Sequence, residues 1–123
     1  MSKNIILVLL GGGIGSVIRY LLSYFFNKYQ TTFFPWPTFI ANSLGCFLIG
    51  LFFAYTLKNN AQSETLKLLL ITGFCGGFTT FSTFSLENLQ LIQNQNYTLA
   101  ISYTISSLLI GTIAVFLGFK FFN

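Results

Sequence analysis

The residues of this chain best suited to chemistry stand together in one run, Gly73-Phe74-Cys75-Gly76-Gly77-Phe78-Thr79-Thr80-Phe81-Ser82-Thr83-Phe84-Ser85. Two adjacent glycines followed by β-branched hydroxyl residues make a poor helix, so the run predicts an unwound turn over residues 76–80. Carbonyls freed by such a turn can hold a cation, and its amides and hydroxyls an anion. Phe81 and Phe84, three apart, share a face if helix resumes there, and the positive edges of two rings can line a path for a small anion. Thr38, Asn42 and Ser43 lie in another apolar stretch, where unpaired amides are costly. They favour a polar pathway over a kink satisfied by the Thr and Ser side chains alone.

Arg19 sits deep in a third apolar stretch, where a charge costs about 3 kcal/mol on insertion scales. It requires a polar partner or water unless its long side chain snorkels to the nearer interface, and a pore-mouth role is favoured over snorkelling. Cys46 and Cys75 lie in apolar runs without C-x-x-C spacing, and the chain has no histidine, so both read as buried small hydrophobes. No nucleophile and base pair or metal cluster is in view, so an enzyme is not expected.

The elements that position these residues follow from composition. The 123 residues are 54% hydrophobic and only 7% charged, too few charges to coat a water-exposed surface, where about a quarter is usual. Mean hydropathy is +0.74. The formal charge of +4 comes from single, scattered cations, so no basic patch for nucleic acid is assembled. A membrane-spanning helix takes about 20 mostly apolar residues, and breaks at polar or Pro-rich clusters give four spans, at about 4–26, 37–57, 65–93 and 97–122. The fold class is therefore an all-α integral membrane protein in a single transmembrane domain, its third helix broken near 76–80. Pro35 and Pro37 suit the entry to the second span. The start, Met1-Ser2-Lys3-Asn4 before an apolar run, imitates a signal peptide, but no Ala-x-Ala-like cleavage site precedes Arg19, so it reads as a retained first helix.

Gly11-Gly12-Gly13-Ile14-Gly15-Ser16 imitates a dinucleotide-binding turn, yet its third glycine position holds Ser16 and no carboxylate follows at the required distance. The G-x-x-x-G pairs Gly11/Gly15 and Gly73/Gly77 instead suit close approach of helix backbones in lipid. An even number of spans puts Lys3, Lys58, Lys67 and Lys120 on one side against Arg19 and Lys28. That bias is weak, so insertion in both orientations stands level with a single orientation having cytoplasmic termini.

Three stretches resemble the Fluc (CrcB) family of fluoride channels: Gly11 to Tyr20, Thr38 to Gly50, and above all Gly73 to Phe84. The resemblance implies an antiparallel, dual-topology homodimer in the cell's inner (plasma) membrane that passively exports cytoplasmic fluoride through two pores. By the same carry-over, Phe81 and Phe84 match the pore phenylalanines and Asn42 the pore asparagine, and the carbonyls of Gly76 and Thr79 match those holding a structural sodium ion on the dimer axis. Tyr103 and Ser107 match a polar track on the fourth helix, where Gly111 lacks the next hydroxyl and Thr112 or Ser106 is the substitute. Arg19 and Glu87 match charged vestibule positions, and Thr38, Ser82 and Thr83 join Asn42 and Ser107 along the ion path. The competing reading is a small dual-topology proton-coupled exporter of toxic cations. Such transporters depend on a glutamate in the first helix, and none is present there. A non-conducting anchor subunit is disfavoured by the buried Asn42 and the Thr-rich break.

Overall fold

The computed structural model describes residues 1–29, 33–59 and 63–122. Residues Gln30 to Thr32 of the first expected linker and Asn60 to Gln62 of the second lie outside them. Among the described residues, four helical stretches are long and apolar enough to cross a membrane. The first is α1 (Ser2–Tyr29) and the second α2 (Trp36–Lys58). Pro35 caps α2 and Pro37 lies in its first turn, where a missing N–H leaves no bond unmade.

The third span has two parts. Its first part, α3, begins as Ser63–Leu66, continues as the π-helical stretch Lys67–Cys75 and ends at Gly76–Phe78. Its second part is α4 (Phe81–Gln93), and the last span is α5 (Tyr97–Phe122). The turn between them is closed by Asn96 N–H to the Leu91 carbonyl at 2.8 Å. It places Gln95 at φ 61°, the left-handed geometry that often ends a helix.

The interruption is shorter than the sequence predicts. Gly76 is helical, at φ −62° and ψ −36°, and the helix includes Gly77 and Phe78. The extended residues are Thr79, at φ −91° and ψ 156°, and Thr80, at φ −151° and ψ 125°. The glycines serve packing instead. A Cβ on Gly77 would overlap the Gly12 backbone, one on Gly11 the Leu69 carbonyl, and one on Gly15 the Phe74 carbonyl. Gly73 faces Gly11 across the same seam. Both predicted G-x-x-x-G pairs therefore lie in one contact, α1 against α3. Dispersion between close backbones holds helices together where lipid removes the hydrophobic drive.

A second seam joins α2 to α5. Gly50 meets the Val115 carbonyl and Gly118 meets that of Phe47. Elsewhere the helices turn large apolar side chains outward, among them Leu9, Leu10, Phe25, Leu108, Phe116 and Phe121. The buried cluster of Leu91, Ala100 and Tyr103, with Phe34, Phe39, Phe84 and Leu99 against it, fastens α4 to α5 and to the entry of α2.

Candidate ion-binding site

The two extended residues are held by hydrogen bonds from three directions. Thr79 closes the last turn of α3 twice, its N–H reaching the Cys75 carbonyl at 3.0 Å and its hydroxyl donating to the same oxygen at 2.8 Å. Thr80 is clasped by Asn42 of α2. Its N–H donates to Asn42 Oδ1 at 2.8 Å, and its carbonyl accepts from Asn42 Nδ2 at 3.1 Å. The Thr80 hydroxyl then accepts the Thr83 N–H at 3.2 Å, capping α4. Thr80 lies within the predicted break, 76–80, but not among the expected ion-path residues. Its signal was present as a hydroxyl residue one position before a resuming helix, the usual place of an N-cap.

These bonds explain which carbonyls are released. In an unbroken helix the Gly76 carbonyl would accept from the Thr80 N–H and the Thr79 carbonyl from the Thr83 N–H. The first donor is turned to Asn42 and the second to the Thr80 hydroxyl. Gly76 and Thr79 thus present oxygens without their regular partners, and both line a groove of about 430 Å³ between α2, α3, α4 and α5. Hard carbonyl oxygens suit a small cation such as sodium, so the donor set fits that ion.

Asn42, Phe81, Phe84 and Ser107 line the same groove. The Phe81 and Phe84 ring centroids are 5.9 Å apart, so the two rings do share a face. Phe81 is 78% exposed, the ring standing at the open side of the groove. The Ser107 hydroxyl oxygen is buried and, among the described residues, has no hydrogen-bond partner. A buried hydroxyl without a partner beside a groove is a group that an ordered water or ion would satisfy.

Glu87 anchors a second polar group behind the phenylalanines. The Thr38 hydroxyl donates to its Oε2 at 2.7 Å and the fully buried Tyr103 hydroxyl to its Oε1 at 2.8 Å. The Tyr103 ring lies 4.9 Å from that of Phe84. Glu87, Thr38, Tyr103, Phe84 and Phe81 therefore form one continuous series running into the groove.

Residues 6–119 match the family model described as CrcB-like protein, Camphor Resistance (CrcB). The chain belongs to the CrcB family. A protein of Flavobacterium psychrophilum is 52% identical over 116 residues, covering 94% of both chains. One of Azobacteroides pseudotrichonymphae is 49% identical over 119 residues, covering 97% of this chain and 95% of its own. One of Gloeothece citriformis is 46% identical over 115 residues, covering 94% and 93%. Each of the three bears the name fluoride-specific ion channel.

In this CrcB-family chain the remaining expected positions are dispersed. Arg19 does find a polar partner, the Gly77 carbonyl at 3.2 Å from its Nε, and the Ser16 hydroxyl approaches the same oxygen at 3.4 Å. Ser82 is exposed, its hydroxyl 3.3 Å from that of Thr80, and Thr83 contributes its backbone to the cap. Neither lines the groove. On α5, Gly111 faces the Cys46 sulfur. Thr112 is exposed and donates to the Leu108 carbonyl at 2.7 Å, so its hydroxyl serves its own helix and does not extend the track from Ser107. Cys46 and Cys75 are free thiols, and both line the groove.

Proposed function

We propose that the chain is a fluoride-selective channel of the inner (plasma) membrane, exporting cytoplasmic fluoride passively and so lowering its toxicity. Two copies, inserted antiparallel, enclose two pores, and a structural sodium ion lies on the axis between them. The observation that carries this reading is the gathering of Asn42, Phe81, Phe84 and Ser107 in one groove of a chain whose near-full-length relatives are named fluoride-specific ion channels.

The chemistry supports it. Fluoride is small and strongly hydrated, and short donors in a narrow path can replace its shell where larger halides do not fit. The hydroxyl of Ser107 and the Asn42 Nδ2–H that Thr80 does not take offer such donors, and the ring edges of Phe81 and Phe84 carry partial positive charge. Phe81 stands uncovered in one copy, as a ring completed by a second copy would. The carbonyls of Gly76 and Thr79 would hold the sodium ion, whose positive charge offsets the oxygens that the break releases.

Efflux from liposomes holding the purified protein tests this reading. Fluoride is expected to leave rapidly and chloride not measurably, and Phe81→Ile to slow fluoride release by roughly tenfold or more. Equal rates for the two anions, or an unaffected Phe81→Ile protein, would overturn it.

A further inference from the structure

The groove beside the break also carries soft ligands. Cys46 of α2 and Cys75 of α3 both line it, and both are free thiols. Contacts along the two helices set them across from one another. α2 and α3 run antiparallel there, with Asn42 bonded to Thr80 and Gly45 lying against the Thr79 methyl. One turn beyond the thiols, Ile49 and Thr72 line the same wall. Charge on the Cys46 sulfur acts on that of Cys75, so the two are electrostatic neighbours. On its other side the Cys46 sulfur faces Gly111 of α5, which sets no side chain against it. Cys75 is 2% exposed and Cys46 half-buried, so the pair is approached through the groove.

We propose that Cys46 and Cys75 form a site for a soft divalent cation that is satisfied by two sulfur ligands, the class of the mercuric ion, and that an ion held there closes the fluoride path. Thiolates select soft metals. Zinc takes four ligands, and among the described residues no group of three or more His, Cys, Asp or Glu is assembled, which leaves an ion content with two. Binding breaks both S–H bonds, forms two S–metal bonds and releases the two protons to water. A divalent ion on two thiolates is a neutral unit, the charge state that apolar surroundings penalise least. Closure follows from position. Asn42, Phe81, Phe84 and Ser107 line the same groove, and a narrow path has no room beside a metal that bridges α2 and α3. Closure rests on the channel reading, whereas binding does not.

The test uses purified wild type, Cys46→Ala and Cys75→Ala with mercuric chloride, which crosses lipid as a neutral molecule. Cys46→Ser and Cys75→Ser, nearly isosteric, stand in for an alanine variant that does not fold. In detergent, bound mercury and released protons are measured while 2-mercaptoethanol is added as competitor. Wild type is expected to bind one ion per chain and to hold it against roughly 100-fold more competitor than either variant, because the second thiol is supplied within the same chain. In liposomes, each protein is compared with its own untreated fluoride efflux, and mercury is expected to slow the wild type at least roughly tenfold more than either variant. Equal retention by wild type and variants would mean two separate thiols and overturn the site, as would one ion per two chains. Mercury bound by the wild type with unchanged efflux would overturn the closure. A wild type that binds mercury but releases no fluoride even untreated would overturn the channel reading and leave the metal site standing.

Discussion

Asn42 gives both ends of its amide to one residue, Thr80, in the paired donor and acceptor geometry that a neighbouring strand would supply. That pairing keeps two backbone groups satisfied at membrane depth, where no water replaces them. Asn42→Ala is expected to cost about 1–3 kcal/mol by orphaning them, seen as a lower unfolding midpoint in detergent together with reduced fluoride efflux. Asn42→Asp should not rescue it, because it retains an acceptor for the Thr80 N–H but sets a second oxygen against the Thr80 carbonyl. An Asn42→Ala protein as stable as wild type would show that the clasp is dispensable. The sequence made the cost of Asn42 in an apolar span legible. Its partner was not legible, because Thr80 lies 38 residues away and only the packing of α2 on the third span brings the two together. Arg19 is similar: the need for a partner could be read, but not that the partner is the Gly77 carbonyl.

At the scale of the helices, the spans were plain in the hydropathy pattern, since a stretch that crosses lipid must be apolar throughout its length. The extent of the break was not. The predicted break, residues 76–80, contains the observed one but overruns it: contact with α1 keeps Gly76 and Gly77 helical, and the departure is confined to the Thr pair, where side-chain and Asn42 bonds compete with the helix. The glycines differ accordingly in what they tolerate. Gly77→Ala would force a methyl into the Gly12 backbone and is expected to destabilise by about 1–3 kcal/mol. Gly13 has open space around it, so Gly13→Ala should be neutral or stabilising by up to about 1 kcal/mol through helix propensity. Thermal unfolding of the two variants side by side checks the contrast, and equal effects would contradict the seam.

For the molecule as a whole, the outward apolar faces and the uncovered Phe81 ring leave one copy with a surface suited to lipid or to a second copy. The near balance of cations between the two sides gives little reason for a single orientation. Labelling of either terminus in intact cells is expected from both faces of the membrane, and labelling from one face only would rule out dual topology. The glycine seam has a mechanical consequence. At Gly11, Gly15, Gly73 and Gly77 the backbones of α1 and α3 meet directly, which leaves few side chains there to repack and favours the two helices tilting together. Arg19 ties α1 to the Gly77 carbonyl, two residues before Thr79. The break is thus tied to α1, so a substitution that shifts α1 against α3 is expected to be felt where the carbonyls are released.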